Sequence, residues 1–340
     1  MFTSTYCHRV LRLAQLVSLV GSWRQHVGPR RCFTRGSLVM MPEGPECKSL
    51  AEGLDLQLGG SRYVLDDVSL TAGRYSYEGS EPKDMGRLRE LLAPPARAKS
   101  PQTLLHVKSK GKFIWFDFRD VTLWSTLGLT GGWTFNADKR HMRLSLAFSP
   151  SAQPYSSIPL TAGAQRRLYF YDMRNFGTLR VSFDRAELAD KLQELGHDWL
   201  DPASRPSLEE FLALGAKASK YKRPLAVFLM DQKKTSGIGN YVLSEVLWKT
   251  RIHPQARCAD IDKEGWEDLY AAIASTLQES YASQSPLLSS TAAYRHFRFD
   301  VYAQKVTPSG TPVVRVEGPH KRTVHHCPLT QTRFRPPPEE

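Results

Sequence analysis

The sequence predicts an α+β protein: a two-sheet β-sandwich with flanking helices comes first, then a helical domain and a terminal β-hairpin. Three observations lead there. Between residues 63 and 183 apolar residues recur in short runs, many with the period of two that gives a sheet one buried face. After about Arg185 the spacing changes to the three-and-four pattern of helices. Strand-like runs return near the C-terminus, separated by Gly, Pro and Ser.

Residues 1–41 stand apart from all of this. They hold six Arg (9, 12, 24, 30, 31 and 35) and no Lys, Asp or Glu, together with Ser, Thr and a Leu/Val stretch. That is the composition of an organelle presequence, or of an upstream extension absent from the active protein. Cleavage before Pro42, or initiation at Met41 and loss of that Met, would make Pro42 the N-terminus. The expected location is the nucleus, or a mitochondrion or other organelle if the leader functions.

The body, residues 42–184, opens with a helix, since Leu50, Leu54 and Leu58 share one helical face and Pro45 sits where its missing N–H is harmless. Strands are expected at Tyr63–Leu70, Leu104–Val107, Phe113–Phe118, Val121–Leu127, Met142–Phe148, Leu168–Tyr171 and Thr178–Phe183, with a helical insertion at Met85–Leu92. Residues 185–290 carry helices at Leu188–Leu195, Leu208–Leu214, Leu225–Met230, Tyr241–Trp248 and Glu264–Tyr281, and end in the Ser-rich Ser283–Ser290. In residues 291–340, Phe297–Tyr302, Thr311–Val316 and Arg322–His326 read as strands before a Pro-rich, acidic tail.

Composition narrows the function. The 340 residues are 41% hydrophobic and 24% charged, which excludes a disordered or fibrous chain. Lys and Arg number 46 against 34 Asp and Glu, for a net charge of +12. Half of that excess lies in the first 41 residues, and the body remains basic, as suits a polyanionic partner. The five Cys (7, 32, 47, 258, 327) form no C-x-x-C pair, against a disulfide framework or a cysteine-built zinc site. Arg12 and Gln15 interrupt the longest apolar run, Val10–Val20, so no membrane partner is expected. Nothing in the sequence calls for an oligomer or a cofactor.

Three segments carry chemistry. In Pro42–Glu43, a free proline amine is a secondary amine whose attack on an aldehyde carbon gives a cationic iminium, an electron sink, with a carboxylate alongside for proton transfer. A bland capped N-terminus is the alternative. In Ser109–Phe116, Gly111 turns the chain and Lys112 begins an apolar strand, which places an ammonium near a phosphate or oxyanion, or simply in solvent. In Leu229–Tyr241, two helices meet through Gly237 and Gly239, and Asn240 opens the second. Its free N–H groups, with Lys233 and Lys234 alongside, make a phosphate site, or a plain N-cap.

Pro42-Glu43-Gly44-Pro45-Glu46, Gly111-Lys112, Leu127-Gly128-Leu129-Thr130-Gly131, Asp172-Met173-Arg174-Asn175-Phe176-Gly177 and Gly237-Ile238-Gly239-Asn240 occur in the order and spacing of one family. The chain resembles the formamidopyrimidine-DNA glycosylase and endonuclease VIII (Fpg/Nei) family from about Pro42 to Arg335. The resemblance implies a bifunctional DNA glycosylase and abasic-site lyase of base excision repair, with a helix–two-turns–helix element and damaged DNA, duplex or single-stranded, as partner. Pro42 would attack C1′ of the damaged nucleotide, Glu43 would shuttle protons, and β,δ-elimination would follow. Lys112 would contact the phosphate next to the lesion and assist base release, and Glu46 would support the damage pocket. Asn240, with Gly239, would bind phosphate. Extruding a base leaves a hole, which Leu129, Arg174 and Phe176 would fill. Leu129 replaces a common Met, and Asn175 a frequent Arg.

The terminal unit departs from the pattern. Many members carry a four-Cys zinc finger, whereas Cys327 with His325 and His326 does not reproduce its separated ligand pairs. The chain resembles the zinc-less endonuclease VIII-like branch, with no metal, and Arg322 matches the finger arginine that grips phosphate. His325 and His326 are expected to alternate, one in and one out. About twenty residues link the last helix to the hairpin, too few for the family's long guanine-covering loop, so oxidised pyrimidines and hydantoins are the expected lesions. Two rival readings stay open: an inert damaged-DNA-binding protein whose Pro42 is blocked by the extension, and a structural RNA-binding protein.

Overall fold

A computed structural model describes residues 42–71, 73–75, 80–151, 165–284 and 297–335. The expectations for residues 1–41, for most of the Ser-rich link and for the Pro-rich tail lie outside the described residues.

The first helix, α1 (Gly44–Leu58), buries Cys47, Ala51, Leu54 and Leu58 along one face. Then come β1 (Tyr63–Leu70), α2 (Met85–Leu92) and the short α3 (Ala96–Lys99). The remaining strands of this region are β2 (Gln102–Lys110), β3 (Phe113–Phe118), β4 (Thr122–Thr126), β5 (Gly131–Thr134), β6 (Met142–Pro150), β7 (Arg166–Asp172) and β8 (Thr178–Ser182). They pair in the order β5-β7-β6-β1-β2-β3-β4-β8, every neighbour antiparallel. β1 and β2 pair at only two positions, Val64 with Thr103 and Leu65 with Gln102, and there the ladder folds into two layers. Side chains meet between the layers: Phe116 of β3 lies 4.8 Å from Trp133 of β5, and Phe118 lies 6.5 Å from Phe148 of β6. Cutting one of these buried rings to Ala would cost about 3–5 kcal/mol. The strand β5 is absent from the sequence expectation, because four residues with two glycines carry too little pattern.

The helices that follow are α4 (Arg185–Glu194), α5 (Leu208–Lys220), α6 (Leu225–Leu229), α7 (Asn240–Lys249) and α8 (Lys263–Ala282). Ser207 caps α5 reciprocally with Glu210: its hydroxyl accepts the Glu210 N–H at 3.1 Å, and the Glu210 carboxylate accepts the Ser207 N–H at 2.7 Å. Two-residue strands β9 (His197–Asp198) and β10 (Thr235–Ser236) pair in parallel and fix the turn between α6 and α7. α4 covers the outer face of the sandwich, placing Leu188 and Leu192 on Phe113, Trp115 and Trp124.

The terminal hairpin is β11 (Val314–Glu317) with β12 (Thr323–His326), and Val324 joins the same apolar core as the helices. Two expectations are corrected here. Phe297–Tyr302 is not a strand, because the buried Glu245 carboxylate takes the N–H groups that a ladder would use. It accepts Asp300 at 3.0 Å, Val301 at 3.1 Å and Tyr302 at 2.7 Å. His325 and His326 are both buried, since each face of the ribbon is covered: His325 meets Tyr302 at 4.8 Å between ring centres and His326 meets His253 at 5.9 Å.

Candidate active site

Three glycines from distant parts of the chain bring the candidate residues together. Gly44 donates its N–H to the Gly237 carbonyl at 2.9 Å, and a Cβ on Gly44 would stand 3.0 Å from the Gly237 Cα. Gly111, at φ +55°, presses on the same turn: a Cβ there would lie 2.6 Å from the Gly237 nitrogen. Gln232 shapes that turn, accepting the Gly237 N–H at 3.0 Å and donating to the Ile238 carbonyl at 2.9 Å. Asp198 holds the other side by accepting the Gly111 N–H at 3.0 Å. Side-chain-free backbone is what lets α1, the β2–β3 turn and the α6–α7 turn pack this closely.

At this junction the Glu43 carboxylate accepts the N–H groups of Tyr241 at 2.9 Å and Val242 at 3.2 Å, the first turn of α7. The helix start expected from sequence to offer free N–H groups to a phosphate is thus occupied by Glu43. Burial raises the Glu43 pKa, against the opposing pull of Lys112 and of the helix N–H groups. A Cβ on Gly239 would lie 2.3 Å from both the Glu43 Cδ and the Lys112 Nζ, so the two groups flank one point. Burial lowers the Lys112 pKa, while Glu43 opposes that shift.

Glu46 lies behind Glu43. Its carboxyl accepts the Glu43 N–H at 2.9 Å, the Tyr241 hydroxyl at 3.1 Å and the Gln284 amide at 3.0 Å, while the Ser280 hydroxyl lies 3.0 Å from the Tyr241 hydroxyl. Despite these donors, burial pushes its pKa up to about 7.

Pro42, Glu43 and Lys112 line a cleft of about 860 Å³, together with Leu129, Arg174, Phe176, Asn240 and Arg322. Leu129 is half-buried and Phe176 is 58% exposed, so neither is a core residue. Asp172 holds their loop in shape: it accepts the Thr130 hydroxyl at 2.6 Å, the Arg174 N–H at 3.1 Å and the Gly177 N–H at 2.7 Å. The Asn240 amide is engaged with the hairpin, donating to the Thr323 carbonyl at 2.6 Å and contacting the His320 ring nitrogen at 3.3 Å. Gly239 stands at the α7 N-cap. Lys233 and Lys234 do not line the cleft, and the Lys234 carbonyl accepts the His197 N–H.

The cleft also holds Tyr302, Arg315 and Lys321, which sequence reasoning missed. Lys321 adjoins Arg322 and Arg315 stands on the facing strand, so the basic residues of the hairpin were the available signal. Tyr302 had none, since it reaches the cleft only through the Glu245 clamp. Among the described residues no three His, Cys, Asp or Glu side chains gather as metal ligands.

Comparison with known proteins agrees with this architecture. The formamidopyrimidine-DNA glycosylase N-terminal domain matches residues 41–179, and the H2TH domain of the same glycosylase matches residues 200–290. The formamidopyrimidine-DNA glycosylase of Cytobacillus firmus is 26% identical over 303 residues, covering 86% of this chain and 100% of that protein. That of Shouchella clausii is 28% identical over 305 residues with the same coverage. A crystal structure of Lactococcus lactis Fpg with abasic-site DNA shares the fold at a TM-score of 0.65 and 22% identity, over 85% of this chain and 99% of the other. A complex of that Fpg with DNA containing an oxidised pyrimidine also aligns at 0.65, with 21% identity. With both domains matched to one glycosylase and relatives aligned over their full length, this chain belongs to the formamidopyrimidine-DNA glycosylase family.

Proposed function

We propose that this protein removes oxidised bases from DNA through a Schiff base on Pro42 and then cleaves the strand by β,δ-elimination. The family assignment makes it a DNA glycosylase of base excision repair acting on damaged DNA, and the mechanism is read from its residues. The observation that carries this reading is the placement of Glu43. Its carboxylate is bonded to the start of α7 beside Lys112, in the cleft that Pro42 lines.

In this mechanism the Pro42 amine attacks C1′, and the bond to the damaged base breaks as the iminium forms. Glu43 protonates the ring oxygen and then relays protons during elimination; its raised pKa suits a group that must both give and take a proton. Lys112 stabilises the charge on the departing base or the adjacent phosphate. Leu129, Arg174 and Phe176 occupy the gap left by the extruded nucleotide. Arg322, Arg315, Lys321 and Asn240 face the strand backbone, with Lys233 and Lys234 further along it. The hairpin is held by packing: Cys327 is a buried free thiol, and its N–H bonds the Gln331 side chain at 2.7 Å. Oxidised pyrimidines and hydantoins are the lesions of choice on this reading, which rests on the short link to the hairpin.

In the full chain Met41 acylates the Pro42 nitrogen, so this route requires its release. The test is borohydride trapping on abasic-site DNA with a chain that begins at Pro42, and mapping of the adduct. An adduct on the N-terminal proline is expected. Its absence from a folded chain would leave a DNA-binding protein without this chemistry.

A further inference from the structure

We propose that Lys112 is a second amine nucleophile toward abasic-site DNA, acting whenever Pro42 remains in peptide linkage. The proposal rests on the reading of this cleft as a lyase site. Pro42 follows Met41 in the chain, and until that bond is cut its nitrogen is an amide whose lone pair is delocalised. A cleft built for an aldehyde-level carbon then lacks its first nucleophile but not its acid/base.

Two lysines line the cleft, Lys112 and Lys321. Lys321 is exposed, whereas Lys112 is half-buried in the turn immediately before β3, next to Gly111. Two other half-buried lysines are engaged: Lys110 donates to the Leu192 carbonyl at 2.8 Å, and Lys249 pairs with Glu279 at 2.9 Å. The Lys112 ammonium has no hydrogen-bond or ion-pair partner among the described residues. It flanks the Gly239 Cα together with Glu43, so a carboxyl able to exchange protons stands next to the amine. Burial favours the neutral amine here, the condition under which a lysine attacks carbonyl carbon.

The step balances without any added oxidant or reductant. The neutral Lys112 Nζ adds to C1′ of the ring-opened sugar, forming a C–N bond and a carbinolamine after one proton moves from nitrogen to oxygen. Protonated Glu43 gives its proton to that hydroxyl, water leaves, and a protonated imine results. The Glu43 carboxylate then takes a C2′ proton, the electrons pass toward the imine, and the 3′ phosphate departs. Hydrolysis returns the amine.

Borohydride trapping with adduct mapping tests this in the full chain. The expected result is a covalent adduct on the peptide that contains Lys112, reduced at least about tenfold in the Lys112→Met variant. A melting transition for Lys112→Met close to that of the parent reports that the variant folds, and the unsubstituted chain beginning at Pro42 is trapped in parallel. No adduct on the full chain, an adduct elsewhere, or one undiminished in Lys112→Met would overturn the proposal. Failure of the proline-initiated chain to trap at Pro42 would instead count against the reading of Pro42, whichever way Lys112 behaves.

Discussion

The Glu43 carboxylate caps the first turn of a distant helix, accepting at 2.9 Å the N–H of Tyr241, which lies 198 residues further along the chain. The side chain proposed as acid/base is therefore also the tie between the sandwich and the helix–two-turns–helix element. Replacing it should show both roles. Glu43→Ala should lower stability by about 1–3 kcal/mol, the scale of a lost cap and a charged hydrogen bond, and abolish strand cleavage. Glu43→Gln keeps an acceptor and should recover more than half of that stability but none of the turnover. Denaturant melts beside cleavage assays decide it, and parallel recovery of both would dissolve the distinction.

The glycine junction makes a steric prediction. Gly111→Ala must place a Cβ 2.6 Å from the Gly237 nitrogen at φ +55°, whereas Gly310, at φ +84°, faces open space. Gly310→Ala should cost about 1 kcal/mol, the left-handed backbone penalty alone. Gly111→Ala should cost about 2–4 kcal/mol, because overpacking adds to it, and should reduce activity. Equal melting of the two variants would show that the junction yields.

Phe176 is exposed, so Phe176→Ala should leave stability within about 0.5 kcal/mol of the parent. If it fills the gap in kinked duplex, the variant should lose several-fold in affinity for lesion-containing duplex and little for single strands. Fluorescence anisotropy titrations at fixed salt measure both, and equal losses would remove the void-filling role.

Glu46 gives a pH signature. Its folded pKa of about 7 lies above the ordinary carboxyl value of 4.5, so the folded state binds a proton that the unfolded chain has released. This group's contribution to stability therefore falls as pH rises from about 4.5 to 7. Glu46→Gln lacks the effect, and its stability relative to the parent should improve by about 1–3 kcal/mol between pH 5 and pH 8. A constant difference across that range would mean that Glu46 titrates normally.

His325 and His326 act in the opposite sense. Burial holds both near pKa 4, below the ordinary 6.5, so the unfolded chain takes up protons that the folded hairpin refuses. Stability should fall as pH drops from about 6.5 toward 4. His326→Gln should lose about 1–2 kcal/mol less than the parent between pH 7 and pH 5. Melts at the two pH values give the answer.

Much of the architecture was legible because it depends on local periodicity. The helix Met85–Leu92 and the strands Tyr63–Leu70 and Phe113–Phe118 match their expected bounds, since alternation or a helical stripe marks each one. The motifs also marked Pro42, Glu43 and Lys112, because nucleophile, acid and ammonium are chemical types visible without coordinates. What stayed hidden depends on groups distant in sequence competing for the same atoms. Glu245 takes the N–H groups of residues 300–302 and turns an expected strand into a clamped loop. Glu43 fills the helix start that looked free for phosphate, Lys233 and Lys234 do not line the cleft, and both hairpin histidines are covered. Hydrogen bonding and burial saturate, so which partner claims a given group is settled by the packed chain and not by any one segment of it.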